Sequence, residues 1–264
     1  MKLIFIRHGE PDYVNDSLTS NGRLEADALA QRIKDWDVTE FFVSPQGRAQ
    51  ETAQPTLSLL GREAKVLDFL HEFSYAVDDP VTGRHGVPWD FVSSDWMKYD
   101  DMFKLGDSFM NYPCIKENAE IPAKYREAID GIDEILKSYG YSKDGRFYRN
   151  ANAQIRYLSS TTAPDKSIVD NGPELKDGEK EPVLVFFCHL GITCLMLSHL
   201  VNIPFETLTH GFYLAPTSIT VLSTEERWGD EVSFRIQCMG DVNHLHKAGL
   251  PVSPAGFFAS PFQG

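Results

Sequence analysis

The stretch that decides the fold is "KLIFIRHGE" at residues 2–10. Residues 2–6 form a short, continuous apolar run, which is typical of a central β-strand covered on both faces. The run stops at Arg7 and His8, so the predicted strand carries both at its carboxyl end. The tripeptide Arg-His-Gly recurs at residues 84–86, but no strand pattern precedes that copy. The first copy is therefore the candidate site, and we interpret the second as coincidence.

Similar strand patterns recur along the chain and alternate with helical patterns. Strands are predicted at 40–44, 64–70 and 182–188, and helices at 19–36, 48–60 and 191–202. Residues 218–224 and 232–239 alternate in polarity around a turn, which predicts a β-hairpin at an edge of the sheet. Strands that alternate with helices indicate an α/β fold with a mostly parallel sheet.

The pattern breaks in the block 73–181. Aromatic residues, proline, glycine and aspartate are mixed through its first part, one amphipathic helix is predicted at 122–138, and residues 160–181 are polar and rich in turn formers, which predicts an exposed loop. We interpret this block as a cap-like insertion within a single domain spanning residues 1–264. A chain of this length buries a large core.

Composition narrows the possible partners. The formal net charge is -13, so the protein as a whole repels nucleic acids and anionic membranes, whereas a few local arginines still allow a small anionic substrate. Residues 2–6 are too short for a signal sequence and no run reaches the length of a membrane span, which predicts a cytoplasmic protein. The edge hairpin leaves a homo-oligomer possible.

Four reactive residues follow predicted strands or lie just beyond them: His8, Arg48, Glu72 and His189. The carboxyl ends of parallel strands face one side of an open sheet, where ligands bind. Residues far apart in the sequence are therefore expected to meet in one cleft at this side.

This set suits phosphoryl transfer without a metal or cofactor. His8 is the candidate nucleophile, because a neutral imidazole attacks phosphorus. Arg7 and Arg48 supply guanidinium donors for the phosphate oxygens, with His189 as a third donor. Glu72 is the candidate proton donor to the leaving oxygen.

Two alternatives stay open from the residues alone. His71, Asp78 or Asp79 competes for the role of proton donor. His244 and His246 suggest a metal site, but no third ligand stands at a suitable spacing, so a structural role is favoured.

Several segments together resemble the histidine phosphatase superfamily, also called the phosphoglycerate mutase-like family. The matching segments are "IRHGE" (6–10), "LTSNGRLEA" (18–26), "VSPQGRAQETA" (43–53), "LHE" (70–72), "CHLG" (188–191) and "GDVNHL" (240–245). Each is weak alone, but their order matches the family over residues 1–72 and 182–246. The insertion is not covered.

The resemblance implies a three-layer α/β sandwich with a mixed sheet, a phosphohistidine at His8, phosphate held by the two arginines and His189, and proton donation by Glu72. Many members carry an asparagine six residues after the nucleophile. That position is Val14 here, and Asn15 stands one residue later as a candidate substrate contact. The family's second glycine after the second histidine is Leu190.

The expected function is a metal-independent phosphomonoesterase that acts on a small phosphorylated metabolite. Phosphoglycerate mutases of the family carry a tryptophan-rich run after the nucleophile that residues 11–22 lack, which favours hydrolysis over a mutase-type phosphotransferase. The alternative from another class is a non-catalytic, phosphate-binding regulatory protein of the same fold.

Overall fold

The structure, a computed structural model, describes residues 1–87, 90–152, 180–228 and 230–263. The strands are β1 Lys2–Arg7, β2 Pro11–Asp12, β3 Ser17–Leu18, β4 Glu40–Val43, β5 Ala64–Val66, β6 Val77–Asp78, β7 His85–Gly86, β8 Tyr141–Asp144, β9 Phe147–Asn150, β10 Val183–Cys188, β11 Ile219–Trp228 and β12 Glu231–Asp241. The α-helices are α1 Ser20–Ile33, α2 Gly47–Leu60, α3 Ser93–Trp96, α4 Pro113–Lys116, α5 Ile121–Ser138, α6 Leu190–Val201, α7 Phe205–Gly211 and α8 Asn243–Ala248.

The main sheet has eight strands in the order β5-β4-β10-β1-β11-β12-β9-β8. The strands from β5 to β1 pair in parallel, and those from β1 to β8 pair antiparallel. The predicted α/β fold with a mixed sheet is confirmed. The parallel half brings the carboxyl ends of β1, β4 and β10 to one side, as the site prediction requires.

The apolar run in β1 feeds two separate cores. Leu3 and Phe5 pack on one face of the sheet with α6 and the block after residue 73, whereas Ile4 and Ile6 pack on the other face with α1 and α2. Successive side chains of a strand point to opposite faces, so a strand covered on both sides needs apolar residues at every position. This requirement explains the unbroken run at the start of the chain.

The predicted edge hairpin is wrong in its position. β11 pairs with β1 in the middle of the sheet, and β12 is covered by β9. The strands β8 and β9 come from the end of the 73–181 block, where the sequence pattern predicted no strand. Because they extend the sheet past the hairpin, its position could not be read from the residues 218–239 alone.

The part of the 73–181 block that precedes β8 packs on the sheet through several short elements and the longer helix α5. Phe73, Phe109 and Ile132 belong to the same core as Phe186 of β10, so this part buries its apolar side chains jointly with the sheet. Most of the loop predicted at 160–181 lies outside the described residues. Among the residues that are described, no helix is long and apolar enough to cross a membrane.

Candidate active site

His8 lies directly after β1 and is buried. Its backbone N–H donates to the carbonyl of Cys188, which fixes it beside the end of β10. Its ring Nδ1 lies 2.7 Å from the carbonyl oxygen of Gly9. A carbonyl only accepts hydrogen bonds, so the proton resides on Nδ1 and Nε2 keeps its lone pair. The site thus holds an imidazole in the tautomer that a nucleophile needs.

His189 lies directly after β10, with its ring centroid 5.1 Å from that of His8. Its Nε2 lies 2.8 Å from Oγ of Ser44, which follows β4. The same Oγ accepts from the backbone N–H of Gln46, so the hydroxyl hydrogen is available to donate to Nε2. When the hydroxyl donates to Nε2, the imidazole proton lies on Nδ1, which is buried without a hydrogen-bond partner among the described residues. In that tautomer His189 offers a free N–H donor.

Both imidazoles are neutral near pH 7. Burial, followed by the charge of Arg7, lowers the pKa of His8 well below its ordinary value of 6.5. Burial, followed by the repulsion that a protonated His8 would exert, lowers the pKa of His189 in the same direction. Arg48 also contributes to both shifts, which places the two histidines and the two arginines in one electrostatic environment.

Arg7, the last residue of β1, is 3% exposed. Its two terminal nitrogens donate to the backbone carbonyls of Leu214 and Ala255, at 2.6 and 2.9 Å. Both contacts come from the C-terminal third of the chain. The guanidinium is therefore held in place by backbone groups that add no charge, and its full positive charge is retained for an anion.

Glu72 reaches the site after a short 3-10 turn at Asp68–Leu70 rather than directly after a strand, because β5 ends at Val66. Its backbone N–H donates to Oε1 of Gln46, and its Oε1 accepts from the backbone N–H of Ile192 in the first turn of α6. Burial raises the pKa of Glu72 above its ordinary value of 4.5, against the opposing charges of Arg48 and Arg7. A raised pKa favours the protonated form that a general acid needs.

The competing candidates for the proton donor have other contacts. Asp78 lies 2.9 Å from the exposed His85 of the second Arg-His-Gly copy, and Asp79 accepts from two backbone N–H groups of the next turn. His71 is exposed, although its charge acts on the pKa of His189. Glu72, by contrast, accepts a hydrogen bond from the first turn of α6.

Asn15 is exposed, and its side-chain amide donates to Asp12 at 2.7 Å. The role of Asn15 as a phosphate contact stays a prediction. His244 donates to or accepts from the hydroxyl of Thr217 at 3.0 Å, a structural contact of the kind that the sequence favoured. Among the described residues, no group of three or more histidine, cysteine, aspartate or glutamate side chains is arranged to hold a metal ion.

The loop that follows His8 packs against α1 by direct backbone contact. A Cβ atom on Gly22 would lie 2.3 Å from the carbonyl oxygen of Glu10, and one on Gly9 would lie 2.8 Å from the carbonyl oxygen of Gly22. Only glycine fits such an approach. Thr19 caps α1 by accepting from the N–H of Gly22.

Gly22→Ala is expected to destabilise the protein by about 1–3 kcal/mol. The added methyl group overlaps the backbone of Glu10, which cannot move without the loop that follows His8. Urea unfolding measures the loss. Gly211→Ala is the control, since no heavy atom lies within 4 Å of its added Cβ. Equal stability of the two variants would contradict the close contact between Gly22 and Glu10.

A second buried carboxyl supports the same loop. Glu25 of α1 is fully buried, and its Oε2 accepts from the backbone N–H of Glu10 at 2.7 Å. Asn21 donates to its other oxygen at 3.1 Å. Burial raises the pKa of Glu25 to about 7. In the folded state this carboxyl is therefore half ionised near neutral pH.

This raised pKa predicts a pH dependence of stability. Between pH 4.5 and 7 the folded protein binds more protons at Glu25 than the unfolded chain does, so the contribution of Glu25 to stability is fully present below pH 4.5 and declines as the pH rises to about 7. Since one pKa unit corresponds to about 1.4 kcal/mol, the decline is about 3 kcal/mol. Glu25→Gln should remove it, as measured by urea unfolding at pH 5 and pH 8. If the free energy of unfolding of Glu25→Gln differs between pH 5 and pH 8 as much as that of the wild type does, the decline does not arise from Glu25.

Three residues of the site escaped the sequence analysis. Ser44 contacts Nε2 of His189, Gln46 accepts from the backbone N–H of Glu72, and Thr52 accepts from the N–H of Gly9 at 2.8 Å. Ser44 was the most accessible to prediction, because it follows a strand at the carboxyl side of the sheet. Gln46 and Thr52 carry no comparable signal in the pattern.

A family model described as "Histidine phosphatase superfamily (branch 1)" matches residues 3–85. A probable phosphatase of Schizosaccharomyces pombe is 38% identical to this chain over 68 residues, which cover 22% of this chain and 32% of that protein. The match thus spans about a third of the length of this curated relative.

Solved structures of phosphatases share the fold. A mutant phosphoserine phosphatase from Entamoeba histolytica, in complex with phosphoserine, is 18% identical with a TM-score of 0.55, and the match covers 92% of this chain and 98% of that one. A mycobacterial glucosyl-3-phosphoglycerate phosphatase is 15% identical with a TM-score of 0.53, covering 90% and 98% of the two chains. At these identities the likeness concerns the fold.

Proposed function

We propose that this chain is a phosphatase of the histidine phosphatase superfamily, whose family model matches residues 3–85, and that it hydrolyses small phosphomonoesters through a phosphohistidine at His8, with no metal in the reaction. The observation that carries this proposal is the hydrogen bond from Nδ1 of His8 to the carbonyl of Gly9. It leaves the lone pair of Nε2 free on a ring that lies 5.1 Å from the ring of His189 and that senses the charges of Arg7 and Arg48. A phosphoester bound by these donors would present its phosphorus to Nε2.

The first half-reaction transfers the phosphoryl group to the enzyme. Nε2 of His8 attacks phosphorus while the bond from phosphorus to the ester oxygen breaks, and the carboxyl of Glu72 gives its proton to that oxygen. Arg7, Arg48 and the Nδ1–H of His189 balance the charge on the non-bridging oxygens. The alcohol leaves, and His8 carries the phosphoryl group.

The second half-reaction releases phosphate. The carboxylate of Glu72 takes a proton from a water molecule, whose oxygen attacks phosphorus as the bond to Nε2 of His8 breaks. Inorganic phosphate leaves, and the neutral imidazole and protonated Glu72 are restored. The same carboxyl thus acts first as an acid and then as a base.

The substrate class proposed is a small phosphorylated metabolite. Two structural neighbours are named as phosphatases of phosphoserine and of glucosyl-3-phosphoglycerate, so a panel of phosphorylated metabolites should include both types of ester. Release of inorganic phosphate, compared at equal substrate concentration, ranks them.

Capture of the phosphoenzyme tests the mechanism. Rapid mixing with p-nitrophenyl phosphate in excess EDTA should produce a phosphoryl adduct that is stable in base and labile in acid, as a phosphohistidine is. An acid-stable adduct would assign the nucleophile to serine or threonine. If the wild-type protein hydrolyses no phosphoester over a range of pH, the binding-protein alternative replaces the enzyme.

A further inference from the structure

Asp16 connects the loop after the nucleophile to the helix that carries Arg48. It lies between β2 and β3 and adopts a left-handed backbone conformation, with a φ of 47°. Its Oδ1 accepts from a terminal nitrogen of Arg48 at 2.5 Å, and its Oδ2 accepts from the backbone N–H of Gly47 at 2.7 Å. One carboxylate thus holds both the head group of Arg48 and the start of its helix.

The first turn of α2 depends on this contact. The N-cap residue, Gln46, makes no side-chain capping bond, so Asp16 supplies an acceptor from a distant part of the chain. The two segments approach closely, since a Cβ atom on Gly47 would lie 2.3 Å from the carbonyl oxygen of Asp16. Glycine at position 47 therefore permits the contact.

The remaining surroundings restrict the Arg48 guanidinium to one orientation. The Tyr13 ring lies 5.5 Å from the guanidinium carbon, and the Arg48 side chain is 8% exposed. Its Nε is buried without a hydrogen-bond partner among the described residues. A buried N–H without a partner is costly, and a phosphate oxygen would satisfy it.

We propose that Asp16 is a positioning residue of the phosphate site. It orients Arg48 so that the Nε–H is presented to a phosphate oxygen, and it does not contact the substrate itself. This inference rests on the proposed function. The opposite role, a carboxylate that competes with phosphate for Arg48, predicts a change of opposite sign when the carboxylate is removed.

Asp16→Ala should weaken the binding of inorganic phosphate, measured by calorimetry, by about tenfold, which corresponds to the loss of one charge-assisted hydrogen bond. The Michaelis constant for p-nitrophenyl phosphate should rise by a similar factor, with a smaller change in kcat. Asp16→Asn keeps one acceptor oxygen, so its phosphate affinity should lie between those of the wild type and Asp16→Ala. Asp144→Ala is the matched control, because Asp144 also pairs with an arginine, Arg149, at 2.7 Å and is similarly exposed.

A double-mutant cycle separates positioning from general support of the fold. In the Arg48→Ala background, Asp16→Ala should have no further effect on phosphate affinity, because its action passes through Arg48. An equal loss in both backgrounds, an unchanged affinity or a tighter affinity in Asp16→Ala would each overturn the proposal. If Asp16→Ala does not fold, Asp16→Asn carries the same comparison.

The test of Asp16 does not depend on whether the protein turns over a phosphoester. Phosphate affinity is measured by binding, so a wild-type protein that binds phosphate but hydrolyses no ester would refute the proposed function and leave Asp16 to be judged by the cycle. A wild-type protein that hydrolyses the ester, with an unaltered affinity in Asp16→Ala, would refute the role of Asp16 alone.

Discussion

His8→Ala is expected to abolish the hydrolysis of phosphomonoesters, with a loss of kcat of at least about 10⁴-fold. The variant removes the Nε2 lone pair that attacks phosphorus. The ring of His189 lies 5.1 Å from that of His8, but it is a poor replacement because its Nε2 already contacts Ser44 at 2.8 Å. Steady-state release of p-nitrophenol in EDTA measures the loss, and no phosphoryl adduct should form on mixing.

His85→Ala is the control for this variant. It alters the second Arg-His-Gly copy, whose histidine is exposed and pairs with Asp78, so turnover should stay within about twofold of the wild type, in the range of a surface substitution. His8→Ala should retain its affinity for inorganic phosphate, since Arg7 and Arg48 remain. Retained phosphate binding would show that the variant is folded. Equal activity of the His8 and His85 variants would refute the nucleophile assignment.

Glu72→Gln is expected to slow the hydrolysis of esters with alkoxide leaving groups by about 10²- to 10⁴-fold. The amide cannot donate the proton that an alkoxide requires. For p-nitrophenyl phosphate, whose leaving group is stable as an anion, the first half-reaction needs little protonation and the loss should be much smaller. The comparison is made with phosphoserine and p-nitrophenyl phosphate under single-turnover conditions, in which transfer to His8 is observed alone.

The pH profile gives an independent test of Glu72. Its pKa is raised above 4.5, and the acid must be protonated, so the wild-type single-turnover rate with phosphoserine should fall on the alkaline side of that raised pKa. The pKa of His8 is lowered well below 6.5, so loss of the neutral nucleophile on the acid side should begin well below pH 6.5. The alkaline limb should disappear in Glu72→Gln. Asp78→Asn, which alters a competing candidate, should keep both limbs.

Much of the site could be predicted because strand ends are visible in the sequence. The apolar runs before His8 and His189 follow from burial on both faces of a central strand, and parallel pairing of β1 with β10 then puts both histidines at one side. Arg48 was found in the same way, since it begins the helix after β4. Glu72 was predicted from the end of a longer strand, whereas a short helical turn precedes it in the structure.

Position in the sheet and the partners of each side chain depended on the tertiary structure. The hairpin at 218–239 is internal because β8 and β9 continue the sheet beyond it, and those two strands come from a block without a strand pattern. Ser44 contacts His189 across 145 positions of the chain, and Asp16 contacts Arg48 across 32. Local periodicity contains no information about such pairings.

The sequence by itself therefore determined the class of fold and singled out a candidate nucleophile, His8, with two candidate arginines, because each is tied to a strand or helix whose burial pattern is local. The tertiary structure decided which nitrogen of His8 carries the proton, how the guanidinium of Arg48 is held and in which direction the pKa values of His8 and Glu72 depart from their ordinary values. Those properties arise from hydrogen bonds and desolvation, which come into existence only when distant segments pack together.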